Sequence, residues 1–236
     1  MNDTTQQVSA GQYKGAQLRH VRGGLPAYEK KTKGYHRRLG PMLDAAPVKS
    51  CLDVGCSGGL LCYYLRKRGI SDVVGVDGDA DMVEIARQHV DAEFVVGDAT
   101  HYLQTCNRRF DFISLLNVLE HVPREKAVEF LAAVRGTLND GRFAVVRAPN
   151  LSCLAGSGHF YRSWTHVLPL TETSLQWLAA EAGFSRVELC NQFRMQSFKG
   201  KMLACVNWLV HKAAYKLVGG RCPTVFYRNL YARLYR

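Results

Sequence analysis

Apolar and polar positions along this chain fall into two recurring patterns. Short, nearly continuous apolar runs cover Ser50 to Val54, Asp72 to Asp77, Glu93 to Val96, Phe110 to Leu116 and Arg142 to Arg147, and read as buried strands. Between them, helical spacing predicts helices from Gly59 to Arg68, Asp81 to His89, around His101 to Thr105, and from Pro123 to Leu138. Strands alternating with helices of this length imply a parallel sheet covered on both faces. A further helix is predicted from Thr173 to Ala182, stopped by Gly183, and a sixth strand from Phe184 to Phe193. Thr224 to Tyr231 has strand character and is expected to be a seventh, antiparallel strand. Ahead of the alternation, Tyr28, Tyr35, Leu39, Met42 and Leu43 suggest helical turns broken near Gly40-Pro41.

The segment between the last two strands has a different pattern. Wound as a helix, Met202, Leu203, Val206, Leu209, Val210, Ala213, Ala214 and Leu217 share one broad face. Lys201, Lys212 and Lys216 lie opposite, with Trp208 and Tyr215 at the boundary. Two readings follow: a helix lying on an anionic leaflet, or one packed on its own sheet or on a twin subunit. The expected organisation is an arm and helical lid over 1–46, a core over 47–193, the amphipathic insertion over 194–222, and the final strand over 223–236.

Charge sharpens this division. The net charge is +11, but residues 11–40 hold eight Lys/Arg against Glu29 alone, and residues 194–236 hold nine and no acid. The core is mildly acidic, so basic arms near an anionic partner are expected rather than a basic active-site domain. The polar N-terminus does not resemble a signal peptide, and no apolar run reaches membrane-spanning length. Eight cysteines without a Cys-x-x-Cys pair read as free thiols of a reducing cytoplasm. The expected location is therefore cytoplasmic, with the inner membrane face as the extension that residues 198–236 suggest.

The candidate chemistry begins at Asp53-Val54-Gly55-Cys56-Ser57-Gly58-Gly59, where a strand runs through a glycine turn into a helix. Such a turn lets backbone approach a ligand closely and aims helix amides at it. The spacing is not the Gly-x-Gly-x-x-Gly dinucleotide fingerprint, and no Gly-Lys-Ser/Thr follows. A second acid, Asp77, ends the run Val73-Val74-Gly75-Val76, placed to accept two ribose hydroxyls.

Together these residues resemble motif one and the ribose acid of class I S-adenosylmethionine-dependent methyltransferases. That resemblance implies an α/β, doubly wound, seven-stranded mostly parallel sheet, with a helical lid in front and the basic insertion before the last strand. It implies S-adenosyl-L-methionine as cofactor, held by Asp53, Gly55, Cys56, Ser57, Gly58, Gly59, Asp77, Gly78, Asp98, Ala99, Asn117 and Val118. Tyr28 and Tyr35 are expected either to lid the cofactor or to pack the helix. His121 lies where many members carry a histidine, and His166 sits in a loop expected to cover the acceptor. These two are the catalytic candidates, because histidine titrates near neutrality and suits removal of a hydroxyl proton; His159 is a third.

Residues 147–184, including Arg147-Ala148-Pro149-Asn150 and Thr165-His166, further resemble methyltransferases of bacterial surface-polysaccharide gene clusters. The expected acceptor is a sugar hydroxyl in a polysaccharide, glycolipid or nucleotide-sugar precursor. The alternative is a quinone or other lipid-soluble small molecule, and a non-catalytic binding protein keeping the fold is the reading from another class. Nucleic acid is disfavoured, since Asn117-Val118-Leu119 stands where base-methylating enzymes carry Asn-Pro-Pro-Tyr-like signatures. No acids and histidines have metal-ligand spacing along the sequence, so no metal is expected.

Overall fold

The computed structural model describes Leu18 and residues 20–45, 47–190, 198–220, 222–225 and 227–236. Arm residues 1–17, the expected strand end at Phe193, Arg221, Phe226 and the side chains of Lys201 and Leu203 lie outside the described residues.

Helix α1 (Leu25–Asp44) leads into alternating elements: β1 (Ser50–Val54), α2 (Leu60–Lys67), β2 (Asp72–Asp77), α3 (Ala80–His89), β3 (Glu93–Val96), α4 (Ala99–Thr105) and β4 (Phe110–Leu116). Two 3-10 turns, Leu119–His121 and Arg124–Lys126, precede α5 (Ala127–Gly136) and β5 (Leu138–Pro149). Then come α6 (Gly156–Phe160), α7 (Glu172–Glu181), β6 (Arg186–Leu189), α8 (Phe198–Leu217) and β7 (Asn229–Tyr235). The seven strands form one sheet in the order β3-β2-β1-β4-β5-β7-β6. β1 is parallel to β2 and β4, β2 is parallel to β3, and β7 runs antiparallel to β5 and β6. This is the doubly wound, mostly parallel architecture expected from the sequence.

The chain divides into two compact units, one from the described residues of Met1–Leu115 and Gly136–Arg142, the other from Leu116–Arg135 and Phe143–Arg236. In the first, every residue of β1 is buried, because a strand covered on both faces has no solvent side. Leu52 and Val74 are fully buried, and side chains of this size each contribute roughly 1.5–3 kcal/mol on leaving water. In the second, β7 alternates buried and half-buried residues, burying Leu230, Ala232 and Leu234.

The helix expected from Pro123 begins at Ala127, after the 3-10 turn Arg124–Lys126, and four other differences from expectation have a visible setting. α1 continues through Pro41, which lies inside the helix, because Leu39, Gly40, Met42 and Leu43 are all buried there. Packing outweighs the lost backbone bond. The chain after α5 enters β5 at Leu138, where a helix tail was expected. Strand six spans only Arg186–Leu189 among the described residues. β7 starts at Asn229 because the buried Glu172 side chain accepts bonds from the Thr224 and Val225 amides, which removes both from any ladder.

Helix α8 reverses the packing expected for a helix on its own sheet. His211 is buried with its Nε2 accepting the Leu154 amide at 3.1 Å, and the Tyr215 hydroxyl donates to the Ser152 carbonyl at 2.8 Å. The opposite face, with Met202, Val206, Leu209, Val210 and Leu217, is exposed. Among the described residues no helix is long and apolar enough to cross a membrane.

Candidate functional site

In the first unit the turn after β1 is built from left-handed residues. Gly55, Ser57 and Gly59 have φ of 70°, 48° and 73°. The Gly55 and Cys56 amides donate to the Val76 carbonyl at 2.8 and 3.1 Å, which ties the turn to β2. Asp77 completes the tie: one carboxylate oxygen accepts the Ser57 amide at 2.7 Å and the other the Asp79 amide at 2.9 Å. Each oxygen has two lone pairs, so Asp77 keeps capacity for two further donors. A Cβ on Gly58 would stand 2.5 Å from Val21, and one on Gly59 2.9 Å from Ala86. The turn therefore needs glycine for close packing as well as for conformation.

Tyr28 is fully buried, donates its hydroxyl to the Gly58 carbonyl at 2.5 Å and stacks on His89, so it braces the turn from behind. Burial pushes its phenol up to about 12. Tyr35 stacks on Tyr64. Gly55, Gly78 and Asp98 are exposed at the carboxyl ends of β1, β2 and β3, and Val96 stands 42% exposed beside them. An open row of strand ends, with one carboxylate already oriented, suits a ligand carrying hydroxyls and a flat ring.

The expected residues take distinct places. Asp53 is buried under the turn, not on its surface; Ser114 Oγ donates to it at 2.5 Å and Cys62 Sγ lies at 3.7 Å. Burial raises its carboxyl to about 7, against the two hydrogen bonds. The Cys56 thiol is also buried. Asp98 caps α4 by accepting the His101 amide at 2.8 Å, and Ala99 begins that helix.

In the second unit, Asn117 has a φ of 62° and donates its amide to the Arg147 carbonyl at 2.8 Å. Asparagine is among the few residues that adopt this conformation readily, so it turns the chain sharply after β4. Val118 follows half-buried. The 3-10 turn Leu119–His121 then brings three functional groups together with the loop after α6. The Glu120 carbonyl accepts the Val167 and Leu168 amides at 2.8 and 3.1 Å, anchoring that loop. His121 Nδ1 donates to the Thr165 carbonyl at 3.0 Å, and His166 Nδ1 to the Phe160 carbonyl at 2.7 Å.

A carbonyl only accepts, so in both rings Nδ1 carries the proton and Nε2 the lone pair. The two rings stand edge to face with centroids 4.9 Å apart. Burial lowers both imidazole pKa values, reinforced at His121 by His166 and opposed in each by the carbonyl bond. Glu120 is 1% exposed, and burial raises its carboxyl to about 7 against the attraction of Arg147. Its Oε2 has no hydrogen-bond partner.

Glu120, His121 and His166 thus offer three ligand atoms within 4.8 Å of one another. The expectation of no metal-binding group came from sequence spacing, and 45 residues separate His121 from His166. Sequence spacing does not single out Glu120 either. Its signal is a charged residue set between Leu119 and Val122, both buried. His159 stands apart, bonded through Nε2 to Asn229 at 3.0 Å.

A sequence model described as a methyltransferase domain matches residues 26–189. The mitochondrial ubiquinone biosynthesis O-methyltransferase of Saccharomyces cerevisiae is 27% identical over 189 residues, 72% of this chain and 57% of that one. The ubiquinone biosynthesis O-methyltransferase of Aliivibrio fischeri is 28% identical over 151 residues, 54% of this chain and 64% of its own. The chain therefore spans less than two thirds of the length of these relatives. Among solved structures, a SAM-dependent methyltransferase from Archaeoglobus fulgidus superposes with a TM-score of 0.65 at 19% identity, covering 87% of this chain and 94% of that one. The SAH-bound magnesium protoporphyrin IX methyltransferase of Synechocystis does so with a TM-score of 0.59 at 16% identity, over the full length of both chains.

Proposed function

From the premise that this chain belongs to the methyltransferase-domain family, we propose that it transfers the methyl group of S-adenosylmethionine to a hydroxyl oxygen of a lipid-borne acceptor. The observation that carries the reading is the left-handed turn at Gly55, Ser57 and Gly59, locked to β2 through Asp77. S-adenosylmethionine supplies a methyl group on a positively charged sulfur, already activated for displacement. The residues fit it: Asp77 has spare lone pairs for ribose hydroxyls, the exposed Gly55 admits backbone approach, and Val96 offers an apolar face to the purine. Because the leaving group comes with the cofactor, the chain's own tasks are to orient the reactants and remove one proton. The proton falls to the Glu120–His121–His166 group, with His166 Nε2 the first candidate acceptor.

The named activity of the relatives supports a quinone-type ring over the sugar hydroxyl that the polysaccharide-cluster resemblance favours. Helix α8 supports a lipid-borne acceptor of either kind. Its apolar face points outward, Lys212 and Lys216 are exposed on the same helix, and the helix contains no acid. A membrane surface is the partner proposed for it.

Calorimetry with S-adenosylmethionine on wild type and Asp77→Ala tests the cofactor half. Each bond to a charged group contributes roughly 1.5–3 kcal/mol, so with two ribose bonds lost affinity is expected to fall about 100-fold or more. Wild type that binds nothing would leave a scaffold. For the acceptor half, methyl-labelled cofactor should label a hydroxylated prenyl-ring lipid more than a glycolipid, and His166→Ala should lower turnover more than cofactor affinity. Label appearing only in the glycan would restore the sugar reading.

A further inference from the structure

We infer that Glu120, His121 and His166 form a binding site for one divalent transition-metal ion, open on the side where an acceptor hydroxyl enters. The role of the ion rests on the hydroxyl-methylation reading above; its binding does not.

Three observations converge on the site. First, the three donor atoms lie within 4.8 Å of one another, although His166 comes from a different loop than the adjacent pair. Ligands around a tetrahedral ion with bonds of about 2.1 Å stand roughly 3.4 Å apart, so the separations need to close by up to about 1.4 Å. Second, both imidazoles donate Nδ1–H to a backbone carbonyl, Thr165 for His121 and Phe160 for His166. A bond of this kind on the far nitrogen is how metal-ligating histidines are oriented, and it fixes Nε2 as the lone-pair nitrogen. Third, Glu120 Oε2 is buried without a hydrogen-bond partner. A carboxylate oxygen so placed costs free energy unless a cation meets it. Arg147 attracts this carboxylate but does not close a bond with it, and Arg147 Nε is itself buried without a partner.

Two neutral imidazoles and one carboxylate suit zinc, manganese, iron or cobalt in the divalent state better than calcium or magnesium, which prefer all-oxygen shells. Three protein ligands leave positions for a substrate oxygen. There the ion lowers the hydroxyl's pKa, and its proton passes to water. The oxygen then bonds to the methyl carbon as the carbon–sulfur bond breaks, its electron pair staying on sulfur. The products are a neutral ether, a neutral thioether and one solvated proton. With the ion seated, His166 is a ligand; as proton acceptor it belongs to the metal-free protein.

The test uses full-length protein stripped with chelator and titrated with Co²⁺, read by calorimetry and by its visible d–d absorption. One equivalent is expected to bind. Glu120→Gln and His166→Ala, checked for native fold by circular dichroism, should each weaken binding about tenfold or more and change the d–d bands. Binding unchanged in both variants, no binding by wild type, or only a thiolate charge-transfer band from the cysteines would overturn the inference. Wild type that methylates and binds S-adenosylmethionine but takes up no Co²⁺ would sink the metal site alone. Protein that binds Co²⁺ but no S-adenosylmethionine would sink the methyl-transfer reading and leave the site standing.

Discussion

Asp53 in the first unit and Glu120 in the second are both buried carboxyls, and burial raises each to about 7. Their furnishing differs. Asp53 has a serine hydroxyl on one oxygen and a thiol near the other, all inside the packed frame below the glycine turn. Glu120 keeps one oxygen without a hydrogen bond, next to two imidazoles whose lone pairs are already fixed. The first arrangement closes on itself and supports a backbone cradle. The second is chemically incomplete, which marks a group held ready for something that arrives. Carboxyls raised to a similar pKa can therefore have different roles, and the hydrogen-bond inventory around each tells them apart.

The strongest way to break this contrast is through pH. Asp53 holds its proton to about 7 when folded and loses it near its ordinary 3.8 when unfolded. Its contribution to stability is then complete below about pH 4 and is lost as pH rises through 7. The shift sets an upper bound on the order of 4 kcal/mol. Asp53→Asn, neutral throughout, should show a flatter profile, measured as the difference between wild-type and variant urea-unfolding curves from pH 4 to 8. Parallel profiles would mean that Asp53 is charged and satisfied in the fold.

Gly59→Val comes next in size. A valine there must take a φ of 73° and press on Ala86 and Phe94, which should cost roughly 2–4 kcal/mol and remove cofactor binding. Unchanged calorimetric affinity would show that the cradle is not rigid. The smallest effect has the opposite sign. Glu120→Leu replaces a half-satisfied buried carboxyl with an apolar side chain, and should raise stability by roughly 1–2 kcal/mol while abolishing turnover. Loss of stability would place Glu120 with Asp53 among structural acids.

What was legible in the sequence follows the same division. β1, β2, β3 and β4 begin and end where the apolar runs do; β1, β2 and β4 do so because strands buried on both faces have no other pattern to obey. The cradle was legible too, since glycines and a strand-end acid act through backbone geometry that spacing encodes. β7 was misplaced because Glu172, distant in sequence, captures the Thr224 and Val225 amides. The outward turn of α8 was hidden because its amphipathic pattern tells which residues share a face and not which face meets the protein; His211 and Tyr215 decide that. His121 and His166 were both candidates from the sequence, but their pairing was hidden for the same reason. No periodicity links residue 121 to residue 166, and only the loop closure on Glu120 does.

That closure has a practical corollary. The loop carrying His166 is moored by the Val167 and Leu168 amides on the Glu120 carbonyl and by the Thr165 carbonyl on the His121 ring. The side chains of Trp164, 92% exposed, and Val167 take no part in the mooring. Both positions are therefore open to redesign: a library varied there should retune acceptor preference while the imidazole keeps its post.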